Sequence, residues 1–406
     1  MIELNDLLAQ VWPLASRQAA RVETVELKQA FGRVLAEDAL STLNVPQHDN
    51  SGMDGYAVHC ADFLTNRVFA VSQRIPAGTS PLPLKMGTVA RIFTGAPIPP
   101  GADSIVMQED TILNADGLVE FKEMPKVGQW IRRAGEDVSI GQVVVPKGTR
   151  LDAIHVGLLA SIGIDKVKVA RRLKVGVMAT GSELQNPGRP LKPGQIYNSN
   201  EFVWCGLLQA MNLDVKSVGI VPDNFEATCE ALESLADCDA VISSGGVSVG
   251  EEDHVKPAIE KVGELRSWKV AMKPGKPIAF GQINRSGGGH SWFFGLPGNP
   301  VSSAVAFQLI VKPFLDVLQG LSTDQADWRV RVQPVQADFN WLKPDDRREE
   351  FLRVDVQSGK ARLFANQSSG VLTSLAQSTG LVRLAKGQLV NAGDWVDYVS
   401  YQDLMK

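Results

Sequence analysis

Cysteine and histidine are scarce in this 406-residue chain, with four and five copies, and neither sign of charge is in excess. Cys60, Cys205, Cys229 and Cys238 contain no C-x-x-C pair, so neither a zinc site nor a disulfide framework is indicated. Buried, reduced thiols in a cytoplasmic protein are the expected reading. Forty-one Lys and Arg stand against 45 Asp and Glu, a net charge of -4, which favours no nucleic-acid partner. No apolar run approaches the length of a membrane span, so no membrane partner is expected. The start, Met1-Ile2-Glu3-Leu4-Asn5-Asp6, has no basic region before an apolar core, so it is not expected to be a signal peptide.

What is present is a globular composition. Hydrophobic residues make up 44% and charged residues 21%, enough for real cores. The length suggests two to four domains at ~100–200 residues each. One stretch organises the chain: Ile242-Ser243-Ser244-Gly245-Gly246-Val247-Ser248-Val249-Gly250-Glu251-Glu252-Asp253. It follows a short apolar run, 239–242, that reads as a buried parallel strand. Paired glycines, serine hydroxyls and free N–H groups can form an anion cradle. Acids directly after it make sense if a divalent cation bridges carboxylate and phosphate. A plain Gly-rich turn with solvated acids reads equally well from this stretch alone.

Taken in order, residues 1–40 read as helical, with Leu4, Leu7, Leu8 and Val11 on one face. Leu27, Ala30, Phe31, Val34 and Leu35 read as a second such face. Residues 41–141 are short alternating runs punctuated by Pro and Gly, a β-rich domain. Asp49 and Asp54 sit in its turn-rich stretch; Asp49 reads as a solvated or capping acid and Asp54 as the better site candidate. Thr94-Gly95 and Arg132-Arg133-Ala134-Gly135-Glu136-Asp137 follow. Residues 142–172 return to helix, with Asp152 as cap, Ile154, Leu158 and Ile162 on one face and Gly163 at the end. This segment is expected to pack with 1–40, making the β-rich domain an insertion in a helical unit.

Residues 173–322 alternate strand and helix, which argues for a doubly wound parallel α/β sheet. Ligands bind such sheets beyond the carboxyl ends of the strands. Three polar loops fall there: Ala179-Thr180-Gly181-Ser182-Glu183, Pro222-Asp223-Asn224 and the Gly-rich stretch. Their convergence points to a phosphate-bearing ligand. Lys269, Lys273 and Lys276 surround a Pro-Gly turn, and Pro297-Gly298-Asn299-Pro300-Val301-Ser302 opens a helix over 304–318. Ser286-Gly287-Gly288-Gly289-His290 reads as a hairpin tip. Residues 323–406 alternate like a small β-barrel or sandwich.

Asp49-Asn50-Ser51-Gly52-Met53-Asp54-Gly55-Tyr56-Ala57, Thr94-Gly95-Ala96-Pro97, Gly135-Glu136-Asp137, Thr180-Gly181-Ser182-Glu183, Ser243 to Gly250, Lys273 to Pro277 and Pro297 to Ser302 together resemble the MoeA family. These are molybdopterin molybdenumtransferases, related to the E domain of gephyrin. The match runs in order over nearly the whole chain, although the family usually carries another residue at Ser182. The resemblance implies that adenylylated molybdopterin and molybdate react to give molybdenum cofactor and AMP, with Mg²⁺ or a similar ion. It also implies a homodimer in which Asp54, Thr94 and Asp137 face Glu183, Asp223 and Asp253 of the other chain. Lys269 and Lys273 join these acids as catalytic candidates. Glu183, Asp223 and Asp253 are the metal candidates.

Pterin-binding candidates are Thr180, Gly181, Ser243, Ser244, Gly245, Gly246, Val247, Ser248, Gly250, Pro297 and Pro300. Lys276, Ser302, Arg348 and Ser369 are the molybdate candidates, the last two from an Arg-x-Glu-Phe turn and a hydroxyl-rich loop. The competing reading has Arg348 pairing with Asp346, Glu349 or Glu350. With no Ser-His-Asp arrangement, electrostatic catalysis is favoured over a covalent intermediate. Two other functions fit parts of the chain. A molybdopterin adenylyltransferase shares the sheet domain but does not need residues 1–172 or the C-terminal domain. A gephyrin-type scaffold would present an apolar peptide groove. Other molybdenum cofactor assembly proteins are candidate partners.

Overall fold

The structure, a computed structural model, describes residues 1–18, 20–245 and 254–405. Its centre is a six-stranded sheet: β1 (Lys174–Thr180), β2 (Asp214–Val221), β3 (Ala240–Ser244), β4 (Gly263–Lys269), β5 (Pro277–Asn284) and β6 (His290–Leu296). The order is β2-β1-β3-β6-β5-β4, with the first four parallel and the last two added antiparallel. β1 and β3 are buried nearly throughout, which is why they read as continuous apolar runs. Helices Asn200–Ala210 and Phe225–Leu235 supply the crossovers; Asn224 caps the second by accepting from the Ala227 N–H at 2.8 Å. The Gly-rich tip expected at 286–290 closes the β5–β6 hairpin.

The helix Leu4–Ser16 buries Leu4, Leu7, Leu8 and Val11 as expected, but in the core of the sheet domain. The second expected helical face does not form. Val22–Glu26 is a strand paired with Lys166–Ala170, and Leu27–Gln29 is one tight turn. β-branched residues and pairing across the inserted segment outweigh the helical spacing. Phe31 stays 63% exposed. Asp152 does cap a helix, Ala153–Ser161, accepting from the His155 N–H at 2.8 Å. That helix leaves Ile154 exposed, while Leu158 packs on the core and Ile162 and Leu159 are buried, so the expected face holds except at Ile154. Leu27, Ala30 and Leu35 share a core with Val145, Leu151 and Leu159. Between them, residues 55–121 contribute a separate six-stranded sheet.

The C-terminal segment closes on itself. Gln333–Ala337, Glu349–Gln357, Lys360–Leu363, Gly380–Leu384 and Trp395–Ser400 pair around a ring, a small β-barrel. A further strand, Met272–Lys273, joins its outside in parallel register, Met272 to Glu349 and Lys273 to Glu350. The sheet domain and the barrel therefore share backbone hydrogen bonds. They also share a core, since Phe351, Leu381 and Val399 pack with the sheet-domain residues.

Pro300–Leu318 is 19 residues long and apolar enough to span a membrane, which corrects the expectation that no run reaches that length. It lies wholly inside the fold. Its two charges are paired there: Lys312 Nζ donates to Asp316 Oδ2 at 2.5 Å, and Arg150 Nη2 donates to Asp316 Oδ1 at 2.7 Å. Burial pulls the Lys312 ammonium below the usual lysine range, against the opposing pull of Asp316. Asp316 thus pairs with two cations and ties residue 150 to the central helix. Asp316→Ala should lower stability by about 3–5 kcal/mol, because it leaves a buried ammonium without its counter-ion. Urea unfolding checks this, and a loss under about 1 kcal/mol would show that the triad tolerates an unpaired charge.

Candidate functional site

A cleft of about 1100 Å³ opens where the carboxyl ends of β1 and β3 meet the barrel. Thr180, Glu183, Ser244 and Gly245 come from the sheet. Lys273, Lys276, Pro297, Pro300 and Ser302 come from the connections that follow β4 and β6, and Arg348, Arg353 and Ser369 from the barrel. These placements follow from strand order. β1 and β3 are adjacent and parallel, so their loops leave the same edge.

The wall of β1 and β3 is tightly built. Thr180 Oγ1 donates to the Ser244 carbonyl at 3.1 Å. Gly245 has φ +81, and a Cβ there would sit 2.8 Å from the Thr180 carbonyl, so no other residue fits without moving backbone. Ser243 is buried under this turn. Gly246, Val247, Ser248, Gly250 and Asp253, named above for the cradle and the metal, lie outside the described residues.

Ion pairs set the electrostatics on the barrel side. Glu350 is fully buried and accepts from Lys273 Nζ at 2.9 Å, Trp341 Nε1 at 2.8 Å and the Asp345 N–H at 3.0 Å. Arg348 Nε donates to Asp345 Oδ2 at 2.8 Å. The competing reading of Arg348 as an ion-paired residue is therefore met, but the partner is Asp345, since Glu350 is already occupied. The Arg348 guanidinium, together with the Arg347 N–H, holds the Asp345 carboxyl below the usual range.

All four molybdate candidates, Lys276, Ser302, Arg348 and Ser369, line this one cleft, with Thr180, Glu183, Ser244, Gly245, Lys273, Pro297 and Pro300. Ser302 is nearly buried, and the Ser369 carbonyl accepts from the Val301 N–H at 3.0 Å, which ties the barrel loop to the buried helix. Lys269 and Asp223 do not line the cleft. Lys269 ends β4, paired with Pro277, and Asp223 sits on the edge strand's exit. Asp54, Thr94 and Asp137 lie on the inserted segment, outside their own chain's cleft. Asp54 and Thr94 are nonetheless joined: Asp54 Oδ1 accepts from the Thr94 N–H at 2.8 Å and Oγ1 at 2.9 Å. The Thr94 N–H above all holds the Asp54 carboxyl below the usual range. Asp49 is the structural acid expected, accepting from Arg133 at 2.6 Å and the Ala134 N–H at 2.9 Å.

Among the described residues no three His, Cys, Asp or Glu side chains gather into a cation site. Glu183 is on the cleft wall and Asp223 is not. The described residues thus do not assemble the ligand set expected for Mg²⁺. Sequence reasoning missed Arg353, Glu350 and Asp345 as parts of the site. Period-two spacing sets Arg353 on the face of Phe351, a charge at an inward position, and that was the available signal.

Three family models match in sequence order. They are the MoeA N-terminal region (domain I and II) over 2–163, "Probable molybdopterin binding domain" over 176–317, and the MoeA C-terminal region (domain IV) over 335–401. A molybdopterin molybdenumtransferase from Haemophilus influenzae is 46% identical over 315 residues, 76% of this chain and 75% of that protein. One from Nostoc is 36% identical over 90% of this chain and 85% of its own. Gephyrin from Dictyostelium discoideum is 31% identical over 91% of this chain and 59% of its own. The crystal structure of a molybdopterin biosynthesis moeA protein from Pyrococcus horikoshii OT3 superposes with a TM-score of 0.83 at 27% identity, covering 99% of this chain and all of that one.

The Asp345–Arg348 pair makes a pH-dependent prediction. A carboxyl held low in the fold contributes stability that is present above its unfolded pKa and is lost as pH falls through the folded one. Wild type should therefore exceed Arg348→Ala by up to about 1 kcal/mol near pH 7, with the gap closing below about pH 4. Thermal unfolding of both across that range tests it; a gap independent of pH would remove the ion pair as its source.

Proposed function

The chain belongs to the MoeA family of molybdopterin molybdenumtransferases, and from that premise we propose that it inserts molybdenum from molybdate into adenylylated molybdopterin, releasing AMP. The observation that carries this reading is the joining of two chemistries in one cleft. Strand-end hydroxyls and a glycine lie on the sheet side; lysines, arginines and serines lie toward the barrel.

The pterin phosphate lies along Thr180, Ser244 and Gly245, where the Ser244 hydroxyl is the donor for an anion, the Thr180 hydroxyl and the Gly245 N–H being engaged by the Ser244 and Leu296 carbonyls. Pro297 and Pro300 border it and stiffen the backbone. Molybdate sits at the seam, between Lys276, Ser302, Arg348 and Ser369. An oxyanion needs donors and positive charge there, and the start of the Pro300–Leu318 helix adds the positive end of its dipole. Lys273, held by Glu350, faces the charge that develops as the phosphoanhydride breaks. No side chain is asked to form a covalent bond. Chemistry rests on placing two anions side by side and offsetting their repulsion.

The active unit in this reading is a homodimer. Asp54, Thr94 and Asp137 of one chain complete the cleft of the other, which gives the preformed Asp54–Thr94 pair a use its own chain does not. The reaction is placed in the cytoplasm, in keeping with four free cysteines.

Mass analysis of AMP released from adenylylated molybdopterin, with and without molybdate, tests the reaction. Release should depend on molybdate. Lys276→Ala should raise the molybdate needed for half-maximal rate about tenfold and leave pterin binding unchanged. AMP release indifferent to molybdate would refute the transferase reading. In a second test, Asp54→Ala and Asp253→Ala chains, each nearly inactive, should regain activity when mixed. No recovery in a mixture shown to exchange subunits would remove the composite cleft.

A further inference from the structure

Four cationic side chains line the cleft among the described residues: Lys273, Lys276, Arg348 and Arg353. Two of them are already matched. Lys273 is held by the buried Glu350 carboxylate, and Arg348 by Asp345. An anion arriving at either must share the cation with a carboxylate that stays in place, which weakens its gain.

The other two are not matched. Lys276 forms no ion pair among the described residues, and its side chain is exposed. Arg353 is 1% exposed and has no acid partner among the described residues. Its N–H groups reach only neutral oxygens, and at long range: the Phe351 carbonyl at 3.2 Å, Ser374 Oγ at 3.3 Å and the Ser368 carbonyl at 3.5 Å. A guanidinium has five donors in a fixed fork, so these contacts leave it poorly satisfied. Buried charge is ordinarily paired, and an exception asks for an explanation. Burial pushes this group down to about 10, which leaves it charged at neutral pH.

The surroundings of Arg353 are built as a holder. Gln367 Oε1 accepts from its backbone N–H at 3.0 Å, and Gln367 Nε2 donates to its carbonyl at 2.9 Å. Gln367, Ser368, Ser369 and Gly370 then pass over the side chain and line the cleft with it. A loop with two hydroxyls thus lies beside a buried positive charge that has no counter-ion among the described residues.

We propose that Arg353, with Lys276, supplies the charge that receives the oxyanion, and that the cleft selects a dianion because this arginine lacks a counter-ion of its own. Arg353 is then a specificity-determining residue, and Arg348 contributes less than its position suggests. The proposal rests on the placement of molybdate at the seam.

The test is calorimetric titration of sodium molybdate into the full chain and its variants, with thermal unfolding as a check on folding. Arg353→Met and Lys276→Met should each weaken molybdate binding at least about tenfold, Arg353→Lys and Arg348→Met by less than about threefold. Ser374→Asp tests the same idea without removing the arginine. It places a carboxylate where Ser374 Oγ now meets Arg353, and should weaken molybdate about tenfold while holding or raising the melting temperature. If Arg353→Met does not fold, Ser374→Asp decides. Unchanged molybdate affinity in the folded variant, or a larger loss in Arg348→Met than in Arg353→Met, overturns the proposal while leaving molybdate at the seam. If Lys276→Met, Arg348→Met and Ser374→Asp all bind molybdate as wild type does, the seam placement itself fails.

Discussion

Two residues of parallel pairing hold the functional part of this molecule together. Met272 and Lys273 hydrogen-bond alongside Glu349 and Glu350, and the Lys273 ammonium reaches the buried Glu350 carboxylate. A lysine that leaves the sheet domain is thereby fixed in the barrel. The apolar core continues beneath, through Phe351 and Leu381. Domain seams made of polar surface normally allow motion. Shared backbone pairing and shared core argue for a seam that holds its shape, which a site for two anions needs.

The seam sets the charge pattern as well. Burying Glu350 is tolerable because three donors converge on it, one of them cationic. Its pairing with Lys273 and the Asp345–Arg348 pair match two of the cleft's cations, and among the described residues Arg353 and Lys276 are left without an acid. A cleft with the same residues but different pairing would bind differently. Its chemistry is a matter of which carboxylate reaches which cation.

The inserted sheet follows another logic. Its Asp54 and Thr94 form a finished local pair, and Asp49 is consumed by Arg133 and the Ala134 N–H. Two acids five residues apart thus have different fates, decided by what each meets across the fold. The helix Pro300–Leu318 gives the same lesson in the core. Its composition suits a membrane, yet Lys312, Asp316 and Arg150 satisfy one another inside the protein.

The strand-helix alternation of residues 174–296 was legible because buried parallel strands are continuous apolar runs and helix caps are local. The three polar loops beyond β1, β2 and β3 could be placed on one edge for the same reason. The alternation of residues 333–400 marked strands, though not their closure into a ring. Motif order carried the family, and with it Lys276, Ser302, Arg348 and Ser369 as neighbours. Tertiary structure decided the rest. Leu27 to Leu35 have helical spacing, but the preceding Val22–Glu26 pairs with residues 166–170 and the backbone of residues 32–35 bonds to residues 149–151, and pairing at long range is invisible in local pattern. Arg348 found Asp345 where sequence offered three nearer or equally near acids. Spacing sets Arg353 on the face of Phe351, but only the tertiary structure shows that among the described residues its charge meets no acid. Local interactions can be read from a sequence because their range is a few residues. The pairing of charges cannot, because electrostatic partners are chosen by distance in space.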